Sequence, residues 1–444
     1  MDRNRTQFRN TFGANLRHKV VGIAMATVVA FGVFAGLGSG AASAQMSSKY
    51  DASIDATLAG IQHFWSQAMP DVYGQQYEAI PTDRIHPYSE SDPPPNCDDA
   101  GQTKAPYQDV AGNAFYCSNG DFIAYDEQGL LPKLRDHFGE FAVGLVFAHE
   151  LGHAVQARVG YNPSATVYLE QQADCFAGAW AQYVADSNEE DVHLSSEDLD
   201  NALAGLLTLS DPSGIDGGQD GAHGNGFDRV SAFQDGYEGG AQACADYENN
   251  PPAVTESGYS SYAEQSSAGN LPLTELLPTI TQSLDDYWTS QSSELSAPSV
   301  TAGGAATSGD SDGGVLTDSV TYQPLSNAVH YDASSLQDVH DNIGDFGSGM
   351  LVATAWASSV EHQLDMALGT DAARRGAECL AGAWAANLSS SLSPGDLDEA
   401  VTVLVAAGQG AASQEGGDRG TAFERVAAFR AGFKHGPSKC VQSS

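Results

Sequence analysis

Apolar residues fall at helical spacing in several stretches of the chain. Ile54, Leu58, Ile61 and Trp65 stand three or four apart and predict one face of an amphipathic helix, a pattern that Leu277, Ile280, Leu284 and Trp288 repeat later. A helix is predicted from Glu140 to Val159, closed by Gly160, a residue type suited to ending helices. Ser164 is the expected N-cap of the next helix, in which Leu169, Ala173, Phe176, Trp180 and Val184 share a face. Leu199 to Leu209 predicts a third. The short runs Ala114 to Cys117 and Phe122 to Tyr125 read as strands. The fold class is therefore α+β, mainly α-helical.

The pattern occurs twice. Asp136-His-Phe-Gly139-Glu-Phe141-Ala-Val-Gly144 returns as Asp341-Asn-Ile-Gly344-Asp-Phe346-Gly-Ser-Gly349, and Cys175-Phe-Ala-Gly-Ala-Trp180 as Cys379-Leu-Ala-Gly-Ala-Trp384. Phe227-Asp-Arg229-Val-Ser-Ala-Phe233 matches Phe423-Glu-Arg425-Val-Ala-Ala-Phe429, and Tyr125-Asp126 matches Tyr331-Asp332. Order and spacing agree, so a tandem duplication is expected. The first domain is placed at 46–250, a Pro- and Ser-rich linker at 251–270, and the second domain at 271–444. Residues 289–318, rich in Ser, Gly, Ala and Asp, read as a flexible insertion in the second copy.

Charge and cysteines narrow the setting. With 57 acidic against 19 basic residues, the surface repels phosphate backbones, which argues against nucleic acid as a partner. Arg3, Arg5, Arg9, Arg17 and Lys19 precede an apolar run from Val20 to Leu37, and Ala42-Ser43-Ala44 resembles a signal-peptidase site. Residues 1–44 are therefore read as a signal peptide of an exported bacterial protein, the alternative being an uncleaved membrane anchor with both domains outside the cytoplasm. In that compartment six cysteines imply disulfides, and their spacing pairs Cys97 with Cys117, Cys175 with Cys244, and Cys379 with Cys440.

His149-Glu150-Leu151-Gly152-His153 sits within the predicted helix 140–159. Residues four apart stack on one helical face, so both imidazoles reach a single ion. Zinc suits such ligands, and an open zinc site needs one more protein donor. Glu170 and Asp174, again four apart, face the same side of the following helix. Glu170 completes a His2Glu set, and Asp174 accepts the outer ring N–H of a ligating His, first of all His149. The converse, Asp174 as ligand with Glu170 elsewhere, stays open, as does a buried polar network with no ion. Glu150 is placed to take a proton from water at the open position. At the matching positions the second copy has Thr354, Ala355, Ser358 and Arg374. The chemistry is lost there while the packing residues persist, so one Zn2+ is expected, in the N-terminal domain only.

These residues resemble a known bacterial family, described as "putative neutral zinc metallopeptidase". The resemblance rests on Phe115-Tyr-Cys117, the segment His149 to Gln156, the block Glu170-Gln-Gln-Ala-Asp-Cys-Phe-Ala-Gly-Ala-Trp180, and His223-Gly224 followed by Arg229. It covers the first domain and, in degenerate form, the second. One departure is Ala154, where the family often has a further His. The resemblance implies a zincin-like fold with Glu170 as third ligand, as in proteases of the thermolysin type, and a peptide or protein substrate.

His223, on a Gly-rich loop, is a candidate donor to the developing oxyanion, with an exposed loop histidine as the plain alternative. Arg229, kept as Arg425 in the second copy, reads as structural. The second domain would bind substrate, attach the enzyme to the cell envelope, or pack on the first as an intramolecular pseudo-dimer. Two other readings of the whole remain: an extracellular scaffold with a structural metal, and a zinc hydrolase of a non-peptide amide.

Overall fold

The computed structural model of the chain describes residues 40–187, 194–219, 221–255, 258–303, 319–388, 391–408 and 420–440. The expected leader, 1–44, lies outside them apart from 40–44. No helix among the described residues is long and apolar enough to cross a membrane.

The first helix, α1 (Gly40–Tyr73), buries Leu58, Ile61 and Trp65. Strands β1 (Ile85–Tyr88), β2 (Ala114–Cys117) and β3 (Phe122–Asp126) form a sheet in the order β1-β3-β2, with β1 parallel and β2 antiparallel to the central β3. β1 has no alternating pattern to announce it and contains Pro87, which an edge strand tolerates because one side of it makes no ladder bonds. Helix α2 (Leu131–Val159) is broken at Gly139, whose φ of 81° lies where only glycine is unstrained, so the predicted helix from 140 onward follows a separate first segment. Gly160 ends it in a left-handed conformation, as expected.

Helices α3 (Thr166–Asp186), α4 (Ser196–Thr208) and α5 (Gly226–Ala245) complete the first half. The expected cap at Ser164 is not found. The extended residue before α3 is Ala165, which has no side chain to cap with, and the Thr166 hydroxyl instead accepts the N–H of Gly221 from the loop ahead of α5. A tertiary contact has displaced the local one. The segment expected as a linker holds α6 (Tyr262–Ser266) and is tied to the first half, since Thr255 donates from its N–H and its hydroxyl to Asp228, both at 2.8 Å.

The second half begins with α7 (Leu273–Gln291), which buries Ile280, Leu284 and Trp288. Strands β4 (Ser299–Ala302), β5 (Val320–Gln323) and β6 (Ala328–Tyr331) form a sheet in the order β4-β6-β5, with β4 parallel and β5 antiparallel to β6. β4 lies within 289–318, so that stretch is not an unstructured insertion throughout. Its β-branched Val300 and Thr301 pair with Val329 and His330, a non-local partner that composition does not reveal. Residues 304–318 lie outside the described residues. Helices α8 (Ala333–Asn342) and α9 (Asp345–Gln363) meet at Gly344, whose φ is 139°, a positive value as at Gly139. Then come α10 (Asp371–Asn387), α11 (Asp396–Gly408), α12 (Ala422–His435) and the short α13 (Pro437–Cys440). Disulfides join Cys97 to Cys117, Cys175 to Cys244 and Cys379 to Cys440.

One apolar core runs through both halves, and the contacts between them are reciprocal. Asp398 of α11 accepts the N–H groups of Gly226 and Phe227 at the start of α5, at 2.9 and 2.7 Å. Its counterpart Asp200 of α4 accepts the N–H of Phe423 at the start of α12, at 2.9 Å. Each acid thus satisfies orphan donors of the other half's helix, where the helix dipole favours a negative charge. Gln234 of α5 donates to the Phe423 carbonyl at 2.9 Å, and Arg430 of α12 pairs with Asp235.

Candidate metal centre

The site is built by two crossing helices. His149 and His153 stand one turn apart on α2, and Glu170 and Asp174 one turn apart on α3. At the crossing is Gly152, where a Cβ would lie 3.2 Å from the Cα of Ala173 and 3.3 Å from the Phe176 ring, tighter than ordinary packing. Its lack of a side chain brings α3 close enough for the two pairs to meet.

Three side chains converge. His149 Nε2 is 3.1 Å from Glu170 Oε2 and 3.1 Å from His153 Nε2, and His153 Nε2 is 3.5 Å from Glu170 Oε1. His149, Glu150, Glu170 and Asp174 are all buried, and His153 nearly so. Among the described residues, the only other group of three or more potential ligands this close is the acidic set Asp345, Asp396 and Glu399 in the second half.

The outer partners fix where the ring protons are. Asp174 Oδ1 accepts from His149 Nδ1 at 2.8 Å. Gln156 Nε2 donates to the Leu169 carbonyl at 2.7 Å, which orients the amide, so its Oε1 must accept from His153 Nδ1, also at 2.8 Å. Each ring therefore carries its proton on Nδ1 and turns a lone pair on Nε2 toward the same point. Two lone pairs and a carboxylate facing one another repel unless a cation lies between them.

The electrostatics agree. Burial disfavours charge on His149, but the Asp174 and Glu170 carboxylates outweigh it and push its pKa up to about 10. Burial opposes charge on His153 too, and Glu170 overcomes it to raise the group. Glu170 would be raised by burial, yet His153 and His149 hold it well below the usual carboxylate range. In the absence of another cation, a proton on the rings fills the role. Glu150 goes the other way: burial raises it, and the nearby histidines offset this only in part.

Three features were not legible in the sequence. Gln156 lies one turn beyond His153 on the same helix, and only that spacing hints at its contact. The backbone N–H of Tyr116 on β2 donates to Glu150 Oε2 at 2.8 Å, so the sheet edge aims the carboxylate. Arg229, expected as structural, grips Asp174 with two bonds, Nε to Oδ2 at 2.8 Å and Nη2 to Oδ1 at 2.9 Å. It thereby holds the group that holds His149, and it compensates the charge of a fully buried Asp174, keeping that carboxylate ionised against the effect of burial.

His223 lies apart from the converging trio. Its ring Nδ1 and Asp211 Oδ1 are 3.2 Å apart, and Asp211 also accepts the N–H groups of His223 and Gly224. The loop histidine is thus partly buried and held in place. Beside His149 and Glu150 lies a cavity of about 50 Å³ with Leu130, Leu134, Val146 and Leu206 in its walls.

Comparison with known proteins converges on the same region. Residues 35–247 match the sequence model of the family described as "putative neutral zinc metallopeptidase". Over 153 residues the chain is 30% identical to the uncharacterized protein YpfJ of Escherichia coli strain K12, which covers 29% of this chain and 52% of that one. Over 151 residues it is 30% identical to the uncharacterized protein Rv2575 of Mycobacterium tuberculosis strain H37Rv, covering 28% and 52%. The chain spans about half the length of the curated relatives it matches. No solved structure matches it. The span that matches this family's model, residues 35–247, contains all three converging side chains, His149, His153 and Glu170.

Proposed function

We propose that the first half is a zinc-dependent endopeptidase, acting outside the cytoplasm, with His149, His153 and Glu170 as the ligands of one ion and Glu150 as its base. The observation that carries this is the convergence of two Nε2 lone pairs and one carboxylate, with both ring tautomers set from behind. The fit can be tested on distances. Ligands about 2.0–2.1 Å from a tetrahedral ion stand roughly 3.3–3.4 Å apart; here the two Nε2 atoms are 3.1 Å apart, and the two oxygens of Glu170 lie 3.1 Å (Oε2) from His149 Nε2 and 3.5 Å (Oε1) from His153 Nε2. Three protein donors also leave a fourth position open, as catalytic rather than structural sites do.

Zinc held there would polarise a peptide carbonyl and acidify water. The chain's own residues supply the rest. Tyr116 N–H fixes one oxygen of Glu150, leaving Oε1 to accept a water proton and hand it to the leaving amine. His223, held in place by Asp211, is the candidate donor to the oxyanion. The apolar cavity beside Glu150 fits a small apolar side chain of a peptide. Export is supported by the leader's pattern and by three disulfides.

We read the second half as a degenerate copy, packed on the first as a pseudo-dimer. What supports this is the repeated strand order, the paired breaks at Gly139 and Gly344, and the reciprocal caps of Asp200 and Asp398. Arg374 stands at the Glu170 position, so the carboxylate donor is missing there.

Purified full chain is expected to hold one zinc per molecule by elemental analysis and to cleave unfolded casein, with activity lost to 1,10-phenanthroline and restored by added zinc. Cleavage indifferent to the chelator would reject the metal mechanism, and zinc binding without cleavage would favour a scaffold. Gln156→Leu should weaken zinc binding about 10- to 100-fold in a chelator competition, because His153 loses the partner that fixes its tautomer. Unchanged affinity in that variant would show that the outer hydrogen bond does not set the ligand.

A further inference from the structure

Where the first half gathers its ligands, the second half has a cavity of about 290 Å³. Its walls come from β5, α9, α10 and α11, with Val320, Met350, Leu351 and Leu404 among the apolar residues. An engineered apolar cavity of about 150 Å³ is enough for benzene, so this one has room for a small organic molecule.

Its polar lining is unusual. Glu361, at the end of α9, is 0% exposed, and neither of its carboxylate oxygens has a hydrogen-bond partner. The counterpart in the first half is Gln156, whose amide is satisfied by His153 and by the Leu169 carbonyl. At Glu361 both arrangements have gone: Ser358 replaces the histidine, and a carboxylate cannot donate to a carbonyl. Glu378, 1% exposed, gives Oε1 to Arg425 and leaves Oε2 without a partner. The hydroxyl of Thr321, on the same wall, has none either. Burial, and then the nearby Glu378, push the pKa of Glu361 up to about 8. Two buried carboxyl groups with three unsatisfied oxygens therefore face one space large enough for a molecule.

We propose that this cavity binds a small primary amine with an apolar body, its ammonium group donating to Glu361 and to Glu378 Oε2 while the body packs on Val320, Met350, Leu351 and Leu404. An ammonium has three donors, matching the three oxygens left over. A bare metal ion fits less well, because no third acid or histidine joins Glu361 and Glu378 in a ligand cluster among the described residues. An anion would meet the unpaired carboxyls, and Arg425 is already committed to Glu378. This site does not depend on the zinc reading of the first half, since none of the zinc ligands contributes to it.

The experiment titrates the full chain with 2-phenylethylamine at pH 7.5 by calorimetry, with 2-phenylethanol and 3-phenylpropionate as neutral and anionic controls. Saturable binding of the amine alone is expected, kept in Glu150→Gln and in chelator-treated protein, and weakened at least tenfold in Glu361→Gln. That variant restores the amide found at position 156, so it should fold, which its melting curve checks. Glu361→Asp, which keeps the carboxyl group but draws it back, should retain weakened binding. Equal binding of amine and alcohol, amine binding indifferent to Glu361→Gln, or no amine binding would each overturn the proposal.

Discussion

Exchanging Glu150 for Gln is expected to cut hydrolysis of unfolded casein by about 10²- to 10⁴-fold, the usual contribution of a positioned general base, while zinc content stays at the wild-type level. The two outcomes separate because of where the group sits. Glu150 lies between the two histidines in sequence, but the converging donor atoms belong to His149, His153 and Glu170. The Gln amide oxygen can still accept from Tyr116 N–H at the present 2.8 Å, so β2 and α2 keep their relation. Stability should not fall, since a buried carboxyl raised by its surroundings is replaced with a neutral group of equal shape. A Glu150→Gln protein that cleaves as fast as wild type would remove this residue from the chemistry. One that loses zinc with activity would make it a ligand or a structural support.

How much of this was legible in the sequence depends on whether the signal was local. The spacing of His149 and His153, and of Glu170 and Asp174, is a property of single helices, and it placed all four on facing sides. The helix from 140 to Gly160 was readable for the same reason. Groups brought in from elsewhere were not. Tyr116 contributes a backbone N–H, which every residue has, and β1 and β4 are four-residue strands defined by parallel partners far along the chain. The cap expected at Ser164 failed because a loop about fifty residues onward took the end of α3. Arg229 reads as structural because the second half has Arg425 at the matching position, and there it pairs with Glu378, whose other oxygen has no hydrogen-bond partner. In the first half the same kind of pair holds the carboxylate that accepts from His149.

The second large prediction concerns stability. Helices α3 and α5 touch backbone to backbone. A Cβ on Gly236 would lie 1.8 Å from the Cys175 carbonyl oxygen, and one on Gly178 would lie 1.9 Å from that of Phe233. The second half repeats the contact, with 2.0 Å from Gly382 to the Phe429 oxygen and 1.7 Å from Gly432 to that of Cys379. No rotamer change relieves a clash with main chain, so Gly236→Ala must push α5 off α3 against the tie of Cys175 to Cys244. We expect a loss of about 3 kcal/mol or more, the upper range for overpacking, and a melting point lower by on the order of 10 °C. Zinc affinity should drop as well, because Arg229 on α5 steadies Asp174 on α3. Gly60→Ala is the control: it sits on the exposed face of α1 with nothing within 4 Å, and there alanine should stabilise by roughly 0.5–1 kcal/mol. If Gly236→Ala melts with wild type, the two helices are not packed as closely as described, and the placement of Arg229 behind the metal ligands loses its support.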